Sequence, residues 1–313
     1  MKLFYLGPEG TFTHQAAMTA ADQFATLGDF DLIALPDVPA IMQAVQSRQG
    51  WGVIAWENNV EGYVVPNLDA LIDAPNAAGF ARISVDVAFN AFTVRGHSIY
   101  DCTGNPVSAR FIAEHHLQPE PASSNAAACR DLKPGRVALG PSICGELYDL
   151  DTLAEHVQDF DGAHTEFLVI APRDVVQELN ARAHSNDAGD FETIITFIPL
   201  VTGPGVLADL LDVLRDAGLN MTSFISRPIK GHDGTYSFIA TLDAAPWEPR
   251  FRTALEEIAG HGDWAKTLAV YPRRERPNPP VDAWMLPEGG VHITNRAPEG
   301  WQYTEEARKE LLW

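Results

Sequence analysis

Two carboxylates and two side-chain amides follow one apolar segment of the sequence. The apolar run 52–56 predicts a buried strand, and directly after it come Glu57, Asn58, Asn59 and Glu61. Open α/β sheets bind ligands at the carboxyl ends of their strands, and such groups can orient a substrate or transfer protons. A solvated polar loop explains the same residues equally well, so this segment alone leaves both interpretations open.

A glycine-rich segment near the N-terminus is a second candidate site. Gly7–Thr11 lies between a predicted strand at Lys2–Leu6 and a predicted helix at 12–24. Glycines permit a tight turn, and the free N–H groups at a helix start attract anions. The alternative is a plain turn in which Thr11 or Thr13 caps the helix. A dinucleotide site is not expected, because the Gly-x-Gly-x-x-Gly fingerprint is absent.

The charge and composition exclude several classes of function. The chain has 313 residues, of which 46% are hydrophobic and 20% charged, and its formal net charge is −20 at pH 7. This acidic balance argues against nucleic-acid binding, which needs clustered lysine and arginine. The weakly polar run 193–207 is interrupted by prolines and glycines, so we expect no membrane span.

The cysteines indicate neither a metal site nor export. Cys102, Cys129 and Cys144 lack metal-ligand spacing, and we interpret them as buried free thiols in a reducing compartment. The first residues do not have the pattern of a secretion signal. The sequence therefore predicts a cytoplasmic protein without a metal.

Strands and helices alternate through the first 180 residues. Short apolar runs such as Asp31–Leu35 are separated by stretches with helical spacing, as at 38–45, which predicts an α/β fold with a mostly parallel sheet. We expect residues 1–180 to form two lobes, with the chain crossing between them near residues 76 and 165. A cleft between such lobes is a common ligand site.

The pattern changes after a linker expected at 182–190. Residues 190–272 then follow the order strand, helix, strand, strand, helix, strand, which is that of a ferredoxin-like (βαββαβ) unit. Residues 273–313 begin with a proline-rich segment and contain three tryptophans. We expect a C-terminal tail that docks on a surface, with one short helix at 304–312.

Three segments resemble, in the same order, the prephenate dehydratase family. They are FYLGPEGTFTHQAA at 4–17, WENNVEGYVVPNLDAL at 56–71 and HTEFLVIAP at 164–172. The resemblance covers roughly residues 1–272. It implies a periplasmic-binding-protein-like, two-lobed catalytic region. The implied reaction converts prephenate to phenylpyruvate, carbon dioxide and water in L-phenylalanine biosynthesis, without a cofactor.

The resemblance also implies the residues of the active site. Thr165 corresponds to the catalytic threonine, whose hydroxyl group would donate a hydrogen bond to the leaving hydroxyl of prephenate. Threonine is a weak acid, so we expect a polarising neighbour, which could be His164, Glu61 or a water. The implied substrate-binding residues are Thr11, Asn58, Glu61, Gly62, Ser123 and Phe167.

One charge in the third segment is reversed. The family motif is Asn-x-Thr-Arg-Phe, whereas this chain has Ala163, Thr165, Glu166 and Phe167 at the named positions. Because side chains alternate along a strand, we expect Thr165 and Phe167 to face the cleft and Glu166 to point outward.

The second segment also departs from the family. Asn59 and Tyr63 stand where the family has serines, and Asn67 stands where it has a threonine. Three alternatives therefore stay open. They are a relative that decarboxylates prephenate without losing the hydroxyl group, a ligand sensor without catalysis, and a dehydratase that prefers arogenate.

The C-terminal unit resembles the ACT domain, an amino-acid-sensing module. The matching segments are Pro204–Leu207 and Ile225–Pro228. The resemblance implies feedback inhibition by L-phenylalanine and a homodimer or homotetramer formed through the ACT domain. The implied L-phenylalanine-binding residues are Gly205, Val206, Leu207, Asn220 and Ser226.

Overall fold

The computed structural model describes residues 1–96, 101–103, 108–186, 189–201, 203–229, 231–232 and 234–273, and in the tail residues 286–287, 290, 305–310 and 312. The chain divides into two compact units, Met1–Arg274 and Glu275–Trp313. The described part of the second unit contains a helix at Glu305–Glu310, within the predicted range 304–312. The docking of the tail stays a prediction.

The first lobe is built around parallel strands with helices on both faces. Its elements are β1 (Lys2–Leu6), α1 (Phe12–Gln23), β2 (Asp31–Leu35), α2 (Val38–Gln46), β3 (Trp51–Asn58), β4 (Gly62–Tyr63), α3 (Val65–Asp73) and β5 (Ala77–Asp86). Strand β1 lies between β2 and β3 and is parallel to both. Strands covered on both faces consist of continuous apolar runs, which is the pattern of residues 51–56.

The second lobe is inserted after β5. Its elements are β6 (Asn90–Val94), β7 (Asp101–Thr103), α4 (Ala109–Glu114), β8 (Pro119–Glu120), α5 (Asn125–Arg130), β9 (Arg136–Gly140), α6 (Ile143–Leu147) and β10 (Leu150–Ala154). These strands form a separate sheet in the order β10-β6-β9-β7-β8.

The chain returns to the first sheet as β11 (His164–Pro172) and continues into α7 (Arg173–Ser185). Strand β11 lies antiparallel between β3 and β5. The chain leaves the first lobe after Asp86 and not near residue 76, because β5 pairs with β11 from Ala77 to Asp86. The two connecting segments are joined by a hydrogen bond of 2.7 Å from Val87 N to Ala163 O.

Residues 190–272, called the C-terminal unit here, belong to the first compact unit, Met1–Arg274. They have the predicted βαββαβ order. Their elements are β12 (Phe191–Ile198), α8 (Val206–Asp216), β13 (Met221–Pro228), β14 (Tyr236–Leu242), α9 (Pro249–Gly260) and β15 (Trp264–Pro272). The strand order is β13-β14-β12-β15, and each pair is antiparallel. The first part of the predicted linker 182–190 is helical, because α7 runs to Ser185. Its last turn contains the basic residues Arg182 and His184. Positive side chains at this end of a helix interact favourably with the negative end of the helix dipole.

The C-terminal unit continues the sheet of the first lobe. Strand β15 pairs in parallel with β5 through Ala269 and Gly79, so that ten described strands form one sheet. A Cβ at Gly79 would lie 2.7 Å from the Cβ of Ala269, so this approach requires glycine. The contact is reinforced by Lys266, whose Nζ donates to the carbonyl oxygens of Leu71, Ile72 and Ala74 at 3.2, 2.6 and 2.7 Å.

Two apolar cores cover the opposite faces of the large sheet. Phe167 and Val169 of β11 pack with Tyr5 and helix α1 on one face. Leu168 and Ile170 pack with α2, α3 and the C-terminal unit on the other. Side chains of β11 therefore alternate between a face toward α1 and a face toward the C-terminal unit. No helix in the described residues is long and apolar enough to span a membrane.

Candidate active site

Thr165 is held by an amide on the neighbouring strand. The register places Thr165 of β11 opposite Asn58 of β3, and Asn58 Nδ2 donates a hydrogen bond of 2.9 Å to Thr165 Oγ1. Asn58 Oδ1 accepts the N–H groups of Val60 and Glu61 at 2.9 and 3.0 Å. Since Oδ1 accepts two backbone donors, the amide orientation is determined and Nδ2 faces Thr165.

The hydroxyl proton of Thr165 is free to be donated. Its oxygen accepts from Asn58, and within the described part of the chain the proton has no acceptor. An accepted hydrogen bond polarises an O–H group and makes it a better donor. Neither His164 nor Glu61 bonds this hydroxyl group in the described structure. Among the described residues, Asn58 is the side chain that bonds this hydroxyl group.

Phe167 shares a face with Thr165, as strand alternation predicted, but it is a core residue. Its side chain is only 1% exposed and packs with Tyr5 and Val169. A side chain so deeply buried does not reach a substrate, so its predicted binding role is corrected to one of anchoring β11 beneath Thr165.

Glu166 faces away from Thr165, as alternation predicted, and it is buried. It is 4% exposed, and Arg82 Nε on β5 lies 2.7 Å from its Oε2. Arg82 Nη1 also lies 3.5 Å from Oε2 of Glu192, on β12 of the C-terminal unit. The acidic residue is therefore neutralised inside the protein by an arginine on the adjacent strand.

Arg82 forms ion pairs with two buried acidic residues, Glu166 and Glu192. Burial acts to lower the pKa of Arg82, but Tyr271, Glu166 and Glu192 raise it above its usual range. Burial raises the pKa of Glu192, an effect that Arg82 partly offsets. The same two opposing effects act on Glu57, whose pKa is also raised. The guanidinium thus links the strand that carries Thr165 to the C-terminal unit through a buried polar cluster.

Asn59, which the family resemblance did not imply as a substrate-binding residue, connects the loop after β3 to the start of β11. Its Nδ2 donates to Gly162 O at 3.0 Å, and its Oδ1 accepts His164 N at 2.7 Å. The only sequence signal was an amide in place of a family serine. Of the predicted residues in this loop, Glu61 is exposed and Gly62 has a φ of 82°, a conformation that favours glycine.

Thr11 caps helix α1. Its Oγ1 accepts His14 N at 3.2 Å and donates toward the carbonyl oxygens of Pro8 and Leu6 at 3.1 and 3.3 Å. The hydroxyl group is therefore used within the loop. The N–H groups of Phe12 and Thr13 have no acceptor in the described structure, so the free donors of this segment are backbone groups.

His14 braces the same loop as a neutral ring. Gly10 N donates to His14 Nδ1 at 3.1 Å, and the ring stacks on Tyr5 with centroids 4.9 Å apart. Burial lowers the pKa of His14, which favours the neutral form that can accept from Gly10.

The second lobe contacts this loop through α6. Cys144 Sγ donates to Gly10 O at 3.3 Å, and the Tyr148 hydroxyl group donates to Glu9 O at 2.7 Å. In the same lobe Ser124 caps α5, accepting Ala127 N at 3.0 Å. Ser123, the predicted substrate-binding residue, precedes that cap and is exposed.

The residues predicted to bind an amino acid lie at the start of α8 and on β13. Gly205 has a φ of 94° at the N-terminus of α8, and Val206 and Leu207 are half-buried. Asn220 is exposed, with its Nδ2 3.5 Å from Asp243 Oδ2. Ser226 is exposed on β13, which forms one edge of the large sheet.

A sequence model of prephenate dehydratase matches residues 3–175. The chain belongs to the prephenate dehydratase family. It is an enzyme of that family, and similar curated proteins are named prephenate dehydratase. The prephenate dehydratase of Corynebacterium glutamicum is 32% identical over 287 residues, which cover 85% of this chain and 88% of that protein.

Solved structures share the fold. A prephenate dehydratase from Arthrobacter aurescens, solved in complex with L-Phe, has a TM-score of 0.72 and 22% identity over 87% of this chain and 90% of its own. GqqA, described as a novel type of quorum quenching acylase, has a TM-score of 0.73 and 20% identity over 88% of this chain and 98% of its own. At these identities the likeness concerns the fold alone.

Two departures from the prephenate dehydratase motifs have structural explanations. Glu166, in place of the family arginine, lies on the face opposite Thr165 and is paired with Arg82. Asn67, in place of a threonine, is 5% exposed and donates from Nδ2 to Ala55 O at 2.7 Å. Neither change removes a group from the face that carries Thr165.

Proposed function

We propose that the protein converts prephenate to phenylpyruvate, carbon dioxide and water, with Thr165 hydrogen-bonded to the leaving hydroxyl group. The bond from the ring to the carboxylate breaks, and its electrons become part of the aromatic ring as the ring carbon–oxygen bond breaks. The departing hydroxide is protonated to water. Aromatisation drives the step, so no cofactor is needed.

The hydrogen bond of 2.9 Å from Asn58 Nδ2 to Thr165 Oγ1 is the observation that carries this proposal. It leaves the threonine proton available to the substrate and makes the group a stronger donor. A positioned proton donor contributes typically about 10²–10⁴-fold to rate. Hydroxide is a poor leaving group, so its protonation is where such help is most effective.

The substrate is a dicarboxylate, and this chain is strongly acidic. We propose that the first turn of α1 receives one carboxylate, through the unpaired N–H groups of Phe12 and Thr13 that follow the Thr11 cap. A helix N-terminus favours an anion without needing a positive side chain. Glu61, Gly62 and Ser123 remain proposed substrate-binding positions, carried by the family motif.

We further propose that the C-terminal unit is an ACT domain that binds L-phenylalanine through Gly205, Val206, Leu207, Asn220 and Ser226. The relative from Arthrobacter aurescens, solved with L-Phe, supports this ligand. The exposed edge strand β13 is suited to pairing with a second copy, giving a homodimer or homotetramer. Inhibition would follow if L-phenylalanine binds one arrangement of the lobes more tightly than the other.

Turnover of the purified chain on prephenate tests the proposal. Phenylpyruvate is measured by its absorbance in alkali, carbon dioxide is measured in parallel, and arogenate is offered separately. We expect equal amounts of phenylpyruvate and carbon dioxide from prephenate, and less of both with L-phenylalanine present. Carbon dioxide without phenylpyruvate would establish a non-aromatising decarboxylase. Stoichiometric ligand binding without turnover by folded protein would support a sensor.

A further inference from the structure

A cavity of about 390 Å³ lies between helix α7 and the C-terminal unit. It is separate from Thr165 and from the start of α8. Arg173, Gln177, Asn180 and His184 line it from α7, with spacings of four, three and four that place them on one helical face. Trp247 lines it from the segment between β14 and α9. A volume of 300–1,000 Å³ with few polar groups is typical of small-molecule sites.

Arg173 brings a positive charge to this cavity, and no carboxylate among the described residues pairs with it. Its Nη2 donates to Thr267 O at 2.7 Å and its Nη1 to Ala77 O at 3.4 Å, which leaves other N–H donors of the guanidinium unused. The adjacent Asp174 pairs with Arg48 at 2.7 Å instead. Burial lowers the pKa of Arg173, as expected for a cation that no described anion neutralises.

A second cation lies close enough to influence the first. Burial, together with the charge of Arg173, lowers the pKa of Lys266 to about 8. Lys266 donates to carbonyl oxygens at the end of α3. Asp73 partly offsets this effect, and Lys266 does not line the cavity, so Arg173 is the cation that the cavity itself contains.

Asn180 supplies an amide side chain at the cavity. The residue is 7% exposed, it lines the cavity, and its side chain forms no hydrogen bond to any residue that the structure describes. With Arg173 seven residues earlier on the same helix, it provides a second donor for one carboxylate.

Aromatic and aliphatic side chains form most of the remaining lining, together with the polar residues Gln177 and Thr267. The rings of His184 and Trp247 lie 5.1 Å apart and are tilted by 42°, and Val176 and Val270 add aliphatic surface. The described lining contains no Asp or Glu, so an ammonium group would find cations and no counter-charge. The cavity therefore suits an aromatic ring with a carboxylate and disfavours an amino acid.

We propose that this cavity binds an aromatic monocarboxylate that lacks an amino group, with Arg173 and Asn180 holding the carboxylate. An arylpyruvate has this chemistry, and the choice of phenylpyruvate as one probe rests on the proposed function. Because α7 follows β11 directly and Trp247 belongs to the C-terminal unit, the ligand contacts both regions and favours the arrangement in which they are joined.

Titration calorimetry of the full chain tests the site with ligands that differ in one group. The ligands are 3-phenylpropanoate, phenylpyruvate and L-phenylalanine. The variants are Asn180→Leu and Arg173→Gln, with Arg48→Gln as a control that removes a positive charge near α7 outside the cavity. Asn180→Leu removes an unpaired amide, so its melting temperature should equal or exceed that of the wild type, even if Arg173→Gln is unstable.

We expect Asn180→Leu to raise the Kd of 3-phenylpropanoate and phenylpyruvate at least tenfold, whereas Arg48→Gln leaves it unchanged. The Kd of L-phenylalanine should be the same in Asn180→Leu as in the wild type. The proposal is overturned if both acids bind Asn180→Leu as tightly as the wild type, or if L-phenylalanine is weakened equally. Turnover is not part of this readout, so failure of the dehydratase proposal is a separate result.

Discussion

Replacing Glu166 with arginine restores the residue of the family motif, yet we predict that it damages this protein. Arg82 Nε lies 2.7 Å from Glu166 Oε2, and the Glu166 side chain is 5% exposed. The substitution removes the nearest anion of Arg82 and places a second guanidinium group beside it. The family arginine is therefore incompatible with this chain unless Arg82 also changes.

The size of the effect follows from the burial of this pair. Removing one partner of a buried ion pair lowers the free energy of unfolding by about 3–5 kcal/mol. We expect the cost of Glu166→Arg to fall in this range, with the repulsion between Arg82 and the new arginine contributing to it. Glu166→Gln should cost about 1–3 kcal/mol, because Arg82 keeps Glu192 at 3.5 Å. For Glu166→Arg this corresponds to a melting temperature lower by roughly 6–20 °C.

Thermal unfolding followed by circular dichroism measures these differences. Asp174→Arg is the matched control, because Arg48 and Asp174 also lie 2.7 Å apart but have side chains 64% and 53% exposed. Its cost should stay below about 1 kcal/mol. The charge-swapped double variant Arg82→Glu/Glu166→Arg should recover part of the loss. A Glu166→Arg protein as stable and as active as the wild type would refute the reasoning.

Three further predictions concern the loops and the C-terminal unit. Asn58→Ala should lower kcat by about 10²-fold, since it removes the donor that polarises Thr165; steady-state kinetics with unchanged kcat would contradict this. Burial lowers the pKa of His14 below its ordinary 6.5, so its neutral ring contributes stability above pH 6.5 that is lost as pH falls through the lowered value. The free energy of unfolding, measured as a function of pH, should show this loss in the wild type and not in His14→Asn. Equal losses in the two proteins would rule out this role of His14. Asn220→Ala should raise the half-inhibitory concentration of L-phenylalanine at least about fivefold without changing kcat; unchanged inhibition would remove Asn220 from the proposed site.

The features predicted from sequence are those that local patterns determine. The βαββαβ order follows from apolar periodicity within each segment, and the opposite facing of Thr165 and Glu166 follows from alternation along one strand. The position where the chain leaves the first lobe depends on the pairing of β5 with β11. Those strands are far apart in sequence, so no local pattern reveals that pairing.

The same distinction applies to the site. The family motif selected Thr165 and Asn58 separately, but their hydrogen bond depends on the register between β11 and β3. Alternation along the strand predicted that Glu166 points away from Thr165, but it does not indicate whether the residue is buried. Its partner, Arg82, lies on another strand, and nothing in the sequence near Glu166 indicates that pairing.

The most direct test of the account is kcat for phenylpyruvate formation by Thr165→Val and Thr165→Ser. Valine has nearly the shape of threonine but lacks the hydroxyl group, and serine keeps the hydroxyl group and loses a methyl group. With melting temperatures near that of the wild type, Thr165→Val should lose about 10²–10⁴-fold in kcat, while Thr165→Ser should stay within about tenfold. A Thr165→Val enzyme with wild-type kcat would contradict the assignment of Thr165 as the hydrogen-bond donor to the leaving hydroxyl group.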